Sequence, residues 1–455
     1  MISENIFRAY DIRGVYGRDL TEDVARRIGR ALASYMDGEG ETMLVGMDVR
    51  HSSGPLASSL IEGMLMGGLD VEEIGTVTTP LLYFASVHYG RTGGVMVTAS
   101  HNPPEWNGFK IWLKSGFISM GRGMEELRDL VISGEFRAAS RGELRRNPNA
   151  IRDYEKYVAD KIDLQREVRV VVDPGNGSCS ILTPRVFEAS GIRVSAINSE
   201  PDGSFPAHPP EPSEETLGDV RRLVRRGKAD FGVGFDGDGD RAVFVDDKGR
   251  MVPSTPIFTL LIEEYLEKNR GAAVVYEVSC SMMVEETIRR QGGRPVLSRV
   301  GHTYIVDKMH EEGAVLGGET SGHFYFAELY GFDDAIFTAL KVAEVLSRRE
   351  EKLSEIIDSQ PMYPRIPERN YECADETKFI VVDELSKEFE EAGYETLTID
   401  GVKVTGDDGW FLIRASNTQP LIRLTVEARD EESLRRLEKF AEGKLLEKIR
   451  EVKGR

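Results

Sequence analysis

Three cysteines in 455 residues, Cys179, Cys280 and Cys373, stand far apart, and none forms a C-x-x-C pair. That spacing speaks against a disulfide framework or a structural zinc site and suits a reducing compartment. No apolar run approaches the roughly 18 residues of a membrane span. The start, MISENIFRAYDIRG, has no apolar core of a signal peptide. Positive charge is scarce: 58 Lys and Arg stand against 77 Asp and Glu, for a net charge of −19. Nucleic acid and anionic membrane are therefore poor partners, whereas a small anion held by local arginines is not excluded. There is no G-x-x-x-x-G-K-[ST] phosphate loop and no G-x-S-x-G hydrolase elbow. No segment is low-complexity. These absences leave a cytoplasmic globular protein acting on a small molecule.

With 40% hydrophobic and 30% charged residues, the chain is foldable but too long for one core. One arrangement recurs: strand, polar turn, helix, glycine, strand. It appears in MLVGMDVRHSSGPLASSLIEGMLMGGLDVEEIG, in VRVVVDPGNGSCSILTPRVFEASGIRVSAIN and in AAVVYEVSCSMMVEETIRRQGGRPVLS. The first strands are the β-branched runs at Leu44–Val45, Val170–Val172 and Val274–Val275. Gly67, Gly191 and Gly292 sit where each helix should end in a left-handed residue. The interval is domain-sized, so three similar α/β domains are expected. Polar or proline-rich stretches at Asn147–Ile151, Met251–Pro256 and Gln360–Cys373 read as linkers. Beyond them, two strands around a polar tip and an amphipathic helix read as a smaller α+β domain.

The strongest chemical signal is FGVGFDGDGDRAVFVDDKGR. Asp236, Asp238 and Asp240 alternate with glycines. Three carboxylates in five residues repel one another, and a hard divalent cation relieves that repulsion. An EF-hand is excluded, because its sixth and twelfth positions would be Arg241 and Asp247 and a strand-like AVFV follows. Gly232, Gly234 and Gly237 fit a dinucleotide fingerprint, but no helix follows them. An acidic turn is the remaining alternative; oxygen-only ligands favour magnesium over zinc.

GGVMVTASHNPP ends an apolar strand on Ser100, His101 and Asn102, which packing does not require. Ser100 reads as a nucleophile or as a turn residue. His101 and Lys110, in NGFKI, are suited to acid, base or phosphate-clamp roles. RASNTQPLIR supplies Ser416, Asn417 and Thr418 between Arg414 and Arg423, a set suited to phosphate or to an ordinary hairpin tip. GGETSGH offers Glu319 and Ser321 for sugar hydroxyls, and RVGH ends on His302. A serine, a metal site, a polyol binder and a phosphate clamp together fit phosphoryl transfer on a sugar phosphate.

FRAYDIRG, TASHNP, NGFKI, DGDGDR, VGH, GETSGH, GFDD and RASNT follow one another along the chain. In that order they resemble the α-D-phosphohexomutase superfamily, most closely its phosphomannomutase/phosphoglucomutase branch, over nearly the whole chain. The resemblance implies three related α/β domains with mixed sheets plus a smaller C-terminal α+β domain, around a central cleft. It places the phosphoserine loop in 1–150, the metal loop in 151–252, the sugar loop in 253–366 and the phosphate loop in 367–455. It implies interconversion of hexose 1-phosphate and hexose 6-phosphate, of mannose or glucose, through phospho-Ser100 and a bisphosphorylated intermediate. Asp236, Asp238 and Asp240 would then hold Mg2+, with a Ser100 phosphate oxygen completing the site. Hexose 1,6-bisphosphate would be the activator.

By the same resemblance, His101, Lys110 and Arg241 surround the reacting group, and Arg8, Tyr10 and Arg13 line the cleft. His302, Glu319 and Ser321 meet the sugar. Arg414, Ser416, Asn417 and Thr418 grip the non-reacting phosphate. Arg423 resembles the phosphoglucosamine mutase pattern, so that activity is the alternative. A non-catalytic sugar-phosphate-binding protein and a magnesium-dependent phosphatase are alternatives of other classes. The expected partner is a small sugar phosphate, bound by a monomer or homodimer.

Overall fold

In the computed structural model, which describes residues 2–36, 40–416 and 419–454, one parallel strand trio occurs three times. In the first, Thr42–Met47 lies between Asp70–Thr76 and Gly93–Val97. In the second, Arg169–Asp173 lies between Arg193–Ala196 and Phe231–Phe235. In the third, Ala273–Glu277 lies between Arg294–Ser298 and Leu316–Gly318. The spatial order is second, first, third each time. A helix joins each pair of consecutive strands, as parallel pairing requires. The first joining helices are Ser53–Met66, Arg185–Ala189 and Met282–Arg290; the second are Thr79–His88, Gly218–Gly227 and His302–Glu312.

The third strand of the first two trios then pairs antiparallel with the next strand, Trp106–Leu113 in one and Ala242–Asp246 in the other. These sheets are therefore mixed. From Arg365 on, the chain forms an antiparallel sheet of five strands, in the order Arg365–Glu372, Leu421–Ala428, Gly409–Ala415, Val402–Gly406, Glu395–Leu397. The helices Asp375–Glu391 and Glu431–Lys453 bury Val381, Leu385, Phe389, Leu445 and Ile449 in the same core as Ile413, Ile422 and Leu424 of this sheet. Burying apolar side chains of this size contributes about 1.5–3 kcal/mol each.

The chain divides into two compact units. One comprises Met1–Ile257 with Ser321–Ser359, the other Phe258–Thr320 with Gln360–Arg455. Among the described residues no helix is long and apolar enough to cross a membrane. Cys179, Cys280 and Cys373 are buried and free.

Three local expectations need correction. Gly67 has φ −91°, and the left-handed residue after that helix is Gly68, at φ +93°. Gly191 and Gly292 are left-handed, at +79° and +73°. Met251–Pro256 is not a linker: Met251–Val252 pairs with Phe244 and Val245, and a helix begins at Ser254. A proline in the first helical turn forfeits no helical hydrogen bond, so Pro256 marks a start rather than a break. Most of Gln360–Cys373 is likewise the edge strand Arg365–Glu372. Its register shifts between Ile366 and Arg369, around Pro367, which is where an edge strand accommodates proline.

Candidate active site

Gly93–Val97 is buried along its whole length, and the chain turns immediately after it. Ser100, 1% exposed, sits in that turn at φ +51°, a left-handed conformation unusual for a residue with a side chain. Its N–H donates to Thr98 Oγ1 at 2.9 Å. Its hydroxyl donates to Asp236 Oδ2 at 3.0 Å and lies 3.1 Å from His101 Nδ1. With the serine proton on Asp236, His101 Nδ1 is the donor in that second contact. Burial, together with Arg241 and Arg13, pushes the His101 pKa down to about 2, so its ring is neutral. Arg13 reaches the same turn, donating from Nη1 to Asn102 Oδ1 at 2.8 Å and to Ala99 O at 3.3 Å.

The carboxylates come from the turn between Phe231–Phe235 and Ala242–Asp246, the position in the second trio that Ser100 occupies in the first. Asp236 Oδ1 accepts the N–H groups of Gly239, Asp240 and Arg241, each at 3.1 Å, which fixes the turn. Asp238 Oδ2 accepts from Thr79 Oγ1 at 2.5 Å. Lys110, opposite Met96 on the neighbouring strand, donates to Asp238 Oδ2 at 2.8 Å and Asp240 Oδ2 at 2.6 Å. Burial alone would lower the Lys110 pKa, but these two carboxylates carry it well above its ordinary value.

Lys110 and Arg241 both favour the charged form of Asp236, yet they do not prevail. Burial, then Asp240 and Asp238, push Asp236 well above the ordinary carboxylate range. The buried atoms Asp238 Oδ1 and Asp240 Oδ1 have no hydrogen-bond partner. One oxygen from each of the three residues lies within 4.8 Å of the others. Buried carboxylate oxygens without donors, with no nitrogen or sulfur among the three groups, fit a hard divalent cation.

A second group, Asp240, His323 and Asp333, is equally close. There both ring nitrogens are engaged. Arg241 Nε donates to His323 Nε2 at 2.9 Å, and His323 Nδ1 lies 2.6 Å from Asp333 Oδ2. The cation is therefore better matched to the aspartate triad. The Arg241 bond defines a neutral ring with its proton on Nδ1. Burial disfavours protonation, but Asp240 and Asp333 outweigh it and raise the His323 pKa to about 9; taking up that proton breaks the Arg241 bond. Ala242 N donates to Gly322 O at 3.1 Å, which anchors His323 beside the aspartate turn. His323 and Asp333 went unrecognised in the sequence as site residues, although GETSGH and GFDD contain them.

The remaining expected residues are dispersed. Arg8 and Tyr10 are half-buried in the turn before Ile12–Val15, and Ser321 is exposed two residues before His323. The second unit holds His302, first residue of its helix, and Glu319, buried just after Leu316–Gly318. There Arg414 and Arg423 face each other as cross-strand neighbours. Arg423 Nη1 is 2.7 Å from Glu368 Oε1, whereas Arg414 lies 3.7 Å from Glu368 and 3.8 Å from Asp400. Ser416 Oγ accepts from Gln419 N at 3.2 Å. Asn417 and Thr418 lie outside the described residues.

Four family descriptions match the chain in order. They are phosphoglucomutase/phosphomannomutase alpha/beta/alpha domain I over residues 4–137, domain II over 152–249, domain III over 254–363, and the C-terminal domain over 368–443. A phosphomannomutase/phosphoglucomutase of Pseudomonas aeruginosa is 37% identical over 95% of this chain and 94% of its own. A protein of Methanothermobacter thermautotrophicus named "Probable phosphoglucosamine mutase" is 36% identical over 97% of each chain. A crystal structure of a phosphoglucomutase/phosphomannomutase family protein from Burkholderia thailandensis superposes with a TM-score of 0.91, at 34% identity over 98% of both chains. The chain belongs to the phosphoglucomutase/phosphomannomutase family and is a phosphohexomutase.

Proposed function

We infer that the enzyme interconverts the 1- and 6-phosphates of mannose and glucose by way of a phosphoserine at Ser100. The observation that carries this is the buried Ser100 hydroxyl, 3.0 Å from a triad of carboxylates that a cation would complete. In the forward half-reaction a sugar hydroxyl attacks the phosphoserine phosphorus. The new sugar O–P bond forms, the P–Oγ bond breaks, the hydroxyl gives up one proton and Oγ ends with one. The sugar is then bisphosphorylated; turned around, it returns its other phosphoryl group to Ser100. Hexose 1,6-bisphosphate is accordingly the activator.

Mg2+, held by Asp236, Asp238 and Asp240 with a phosphate oxygen on Ser100, would offset charge on the transferring group, the main task in phosphoryl transfer. Lys110, its proton held tightly, acts as a fixed positive charge. Neutral His101 donates a hydrogen bond to Oγ. His323, oriented by Asp333 and kept neutral by the Arg241 N–H on Nε2, is the base that takes the sugar proton on that nitrogen as the Arg241 bond is released. Arg241 and Arg13 add charge near the serine turn, with Arg8 and Tyr10 beside them. Glu319, Ser321 and His302 serve the sugar hydroxyls, and Arg414, Ser416, Asn417, Thr418 and Arg423 the distal phosphate. We assign these roles to domains spanning 1–150, 151–252, 253–366 and 367–455.

The similarity to the Methanothermobacter protein, nearly equal to that of the Pseudomonas enzyme, supports glucosamine phosphate as a second reading. Phosphorus NMR with Mg2+, a trace of hexose 1,6-bisphosphate and mannose, glucose or glucosamine 1-phosphate separates the two. Conversion of mannose and glucose to their 6-phosphates is expected. Glucosamine turnover alone selects the second reading, and free phosphate as the only product contradicts both.

A further inference from the structure

Arg50 follows the strand Thr42–Met47 and has no solvent-exposed side-chain surface. A guanidinium has five N–H donors, and each of these makes a bond. Nε donates to Asp48 Oδ2 at 3.0 Å. Nη1 donates to the carbonyls of Pro103 at 2.5 Å and Trp106 at 3.1 Å. Nη2 donates to those of Ser100 at 2.9 Å and Asn102 at 2.6 Å. Three of the five bonds end on backbone oxygens of the serine turn and a fourth on the first residue of the strand that follows it.

Asp48 completes the grip. Its Oδ1 accepts from Arg50 N–H at 3.0 Å and Ser53 Oγ at 2.5 Å, and its Oδ2 accepts from Thr98 Oγ1 at 2.8 Å. That threonine oxygen in turn accepts the Ser100 N–H. The left-handed serine is thus held at its carbonyl by Arg50 and at its N–H, through Thr98, by Asp48. Burying a charged pair this deeply is a costly way to hold a loop that water could solvate. The arrangement does something water cannot: it turns four carbonyl oxygens toward one cation. Carbonyl oxygens turned toward a phosphorylated Oγ would repel it.

We propose that Arg50, with Asp48, is a positioning residue for phosphoryl transfer, fixing Ser100 in the left-handed conformation from which its phosphoryl group reaches the sugar rather than water. This rests on the reading of Ser100 as the phosphoserine. Loss of the fork leaves hexose phosphate binding intact and degrades transfer itself.

The test uses full-length protein loaded from 32P-labelled glucose 1,6-bisphosphate, with the label then chased into sugar or inorganic phosphate. Arg50→Lys keeps the charge and loses the fork; Thr98→Val removes only the link to the Ser100 N–H. Assays are normalised to folded protein. Arg50→Lys is expected to lower kcat about 100-fold, as a misplacement near 1 Å does, with KM for glucose 1-phosphate unchanged. The labelled-phosphate share should rise, and Thr98→Val should shift the same split by less. A kcat loss with the split unchanged, or KM rising in step, overturns the proposal. Should Arg50→Lys not fold, Thr98→Val decides alone, and a wild-type split there overturns the proposal. Ser100→Ala is the separate control. Wild-type turnover in it overturns the phosphoserine reading and this proposal together, whereas an inactive Ser100→Ala beside an unaltered Arg50→Lys overturns this proposal only.

Discussion

The serine turn with its aspartates and the arginine hairpin at Gly409–Ala415 and Leu421–Ala428 treat charge in opposite ways. In the first region three buried carboxylates face Lys110 and Arg241, and two of their oxygens lack a donor. In the second, Arg414 and Arg423 are cross-strand neighbours, a repulsive pairing. Glu368 sits close to Arg423, while Arg414 has only the longer contacts to Glu368 and Asp400. One region leaves buried carboxylate oxygens without donors, the other leaves the Arg414 guanidinium without a close carboxylate. The first fits a divalent cation, and the second is the region we propose for the distal phosphate. They also differ in fixation: the serine turn is held at the Ser100 N–H and at the carbonyls of Ala99, Ser100, Asn102 and Pro103, as the proposed reacting atom would demand, whereas the proposed clamp needs only reach and charge. Damage to the first should therefore appear in kcat and damage to the second in KM.

The largest effect is expected at the aspartates. Asp238→Asn should lower kcat about 10²–10³-fold, the scale of losing one preorganised electrostatic contact at a transferring group. In chelator the same variant should melt above the parent, because a buried repulsion is relieved, and added Mg2+ should no longer raise its melting temperature. Scanning calorimetry with and without Mg2+ checks both signs; a variant that melts lower in chelator breaks the comparison.

Next comes Gly237→Ala. A Cβ there would lie 2.5 Å from the Ser100 carbonyl oxygen, which must move or push the aspartate turn away. Steady-state kinetics should show a kcat loss approaching about 100-fold with KM preserved.

In the arginine hairpin, Arg414→Ala removes charge-assisted bonds of about 1.5–3 kcal/mol. KM for the hexose phosphate should rise roughly 10- to 100-fold with kcat little changed. Arg423→Gln should do less, because Glu368 already occupies that guanidinium. A kcat-only effect at Arg414 would erase the distinction between the two regions.

The last effect falls on stability and leaves catalysis untouched; it concerns a buried cation beside the hairpin. Lys403 donates to Val278 O at 2.8 Å, with its Nζ 4.0 Å from the centre of the Trp410 ring. Burial lowers its pKa from 10.5 to about 8. Below pH 8 both folded and unfolded chains carry the proton, and the folded one bears the full cost of burying it. Between 8 and 10.5 the unfolded state binds more protons, so stability rises with pH, by up to about 3 kcal/mol. Urea midpoints across that window should climb in the parent, and Lys403→Met should flatten the climb.

Much of this was legible in the sequence because it is local. The repeated strand–helix–strand pattern gives three parallel trios, and the Ser100, Asp236–Asp240 and Glu319 turns all follow the third strand of a trio. A turn's composition announces itself when the carboxylates sit two residues apart. Partnerships across the fold do not. Arg241 meets His323 over 82 positions, and nothing in DGDGDR requires it. Arg50 is quieter still, since its partners are mostly backbone carbonyls, which every residue carries. The linker expectations erred for a related reason. Proline marks a break in composition, yet the first turn of a helix and an edge bulge both accept it without loss.

The most direct test of the central claim is peptide mass mapping of protein incubated with Mg2+ and glucose 1,6-bisphosphate, before and after a chase with glucose 1-phosphate. One phosphoryl group on the peptide containing Ser100, exchanging with the sugar at the rate of turnover, is the predicted result. Full turnover with Ser100 unmodified throughout, or a phosphoryl group there that no sugar removes, would contradict the account.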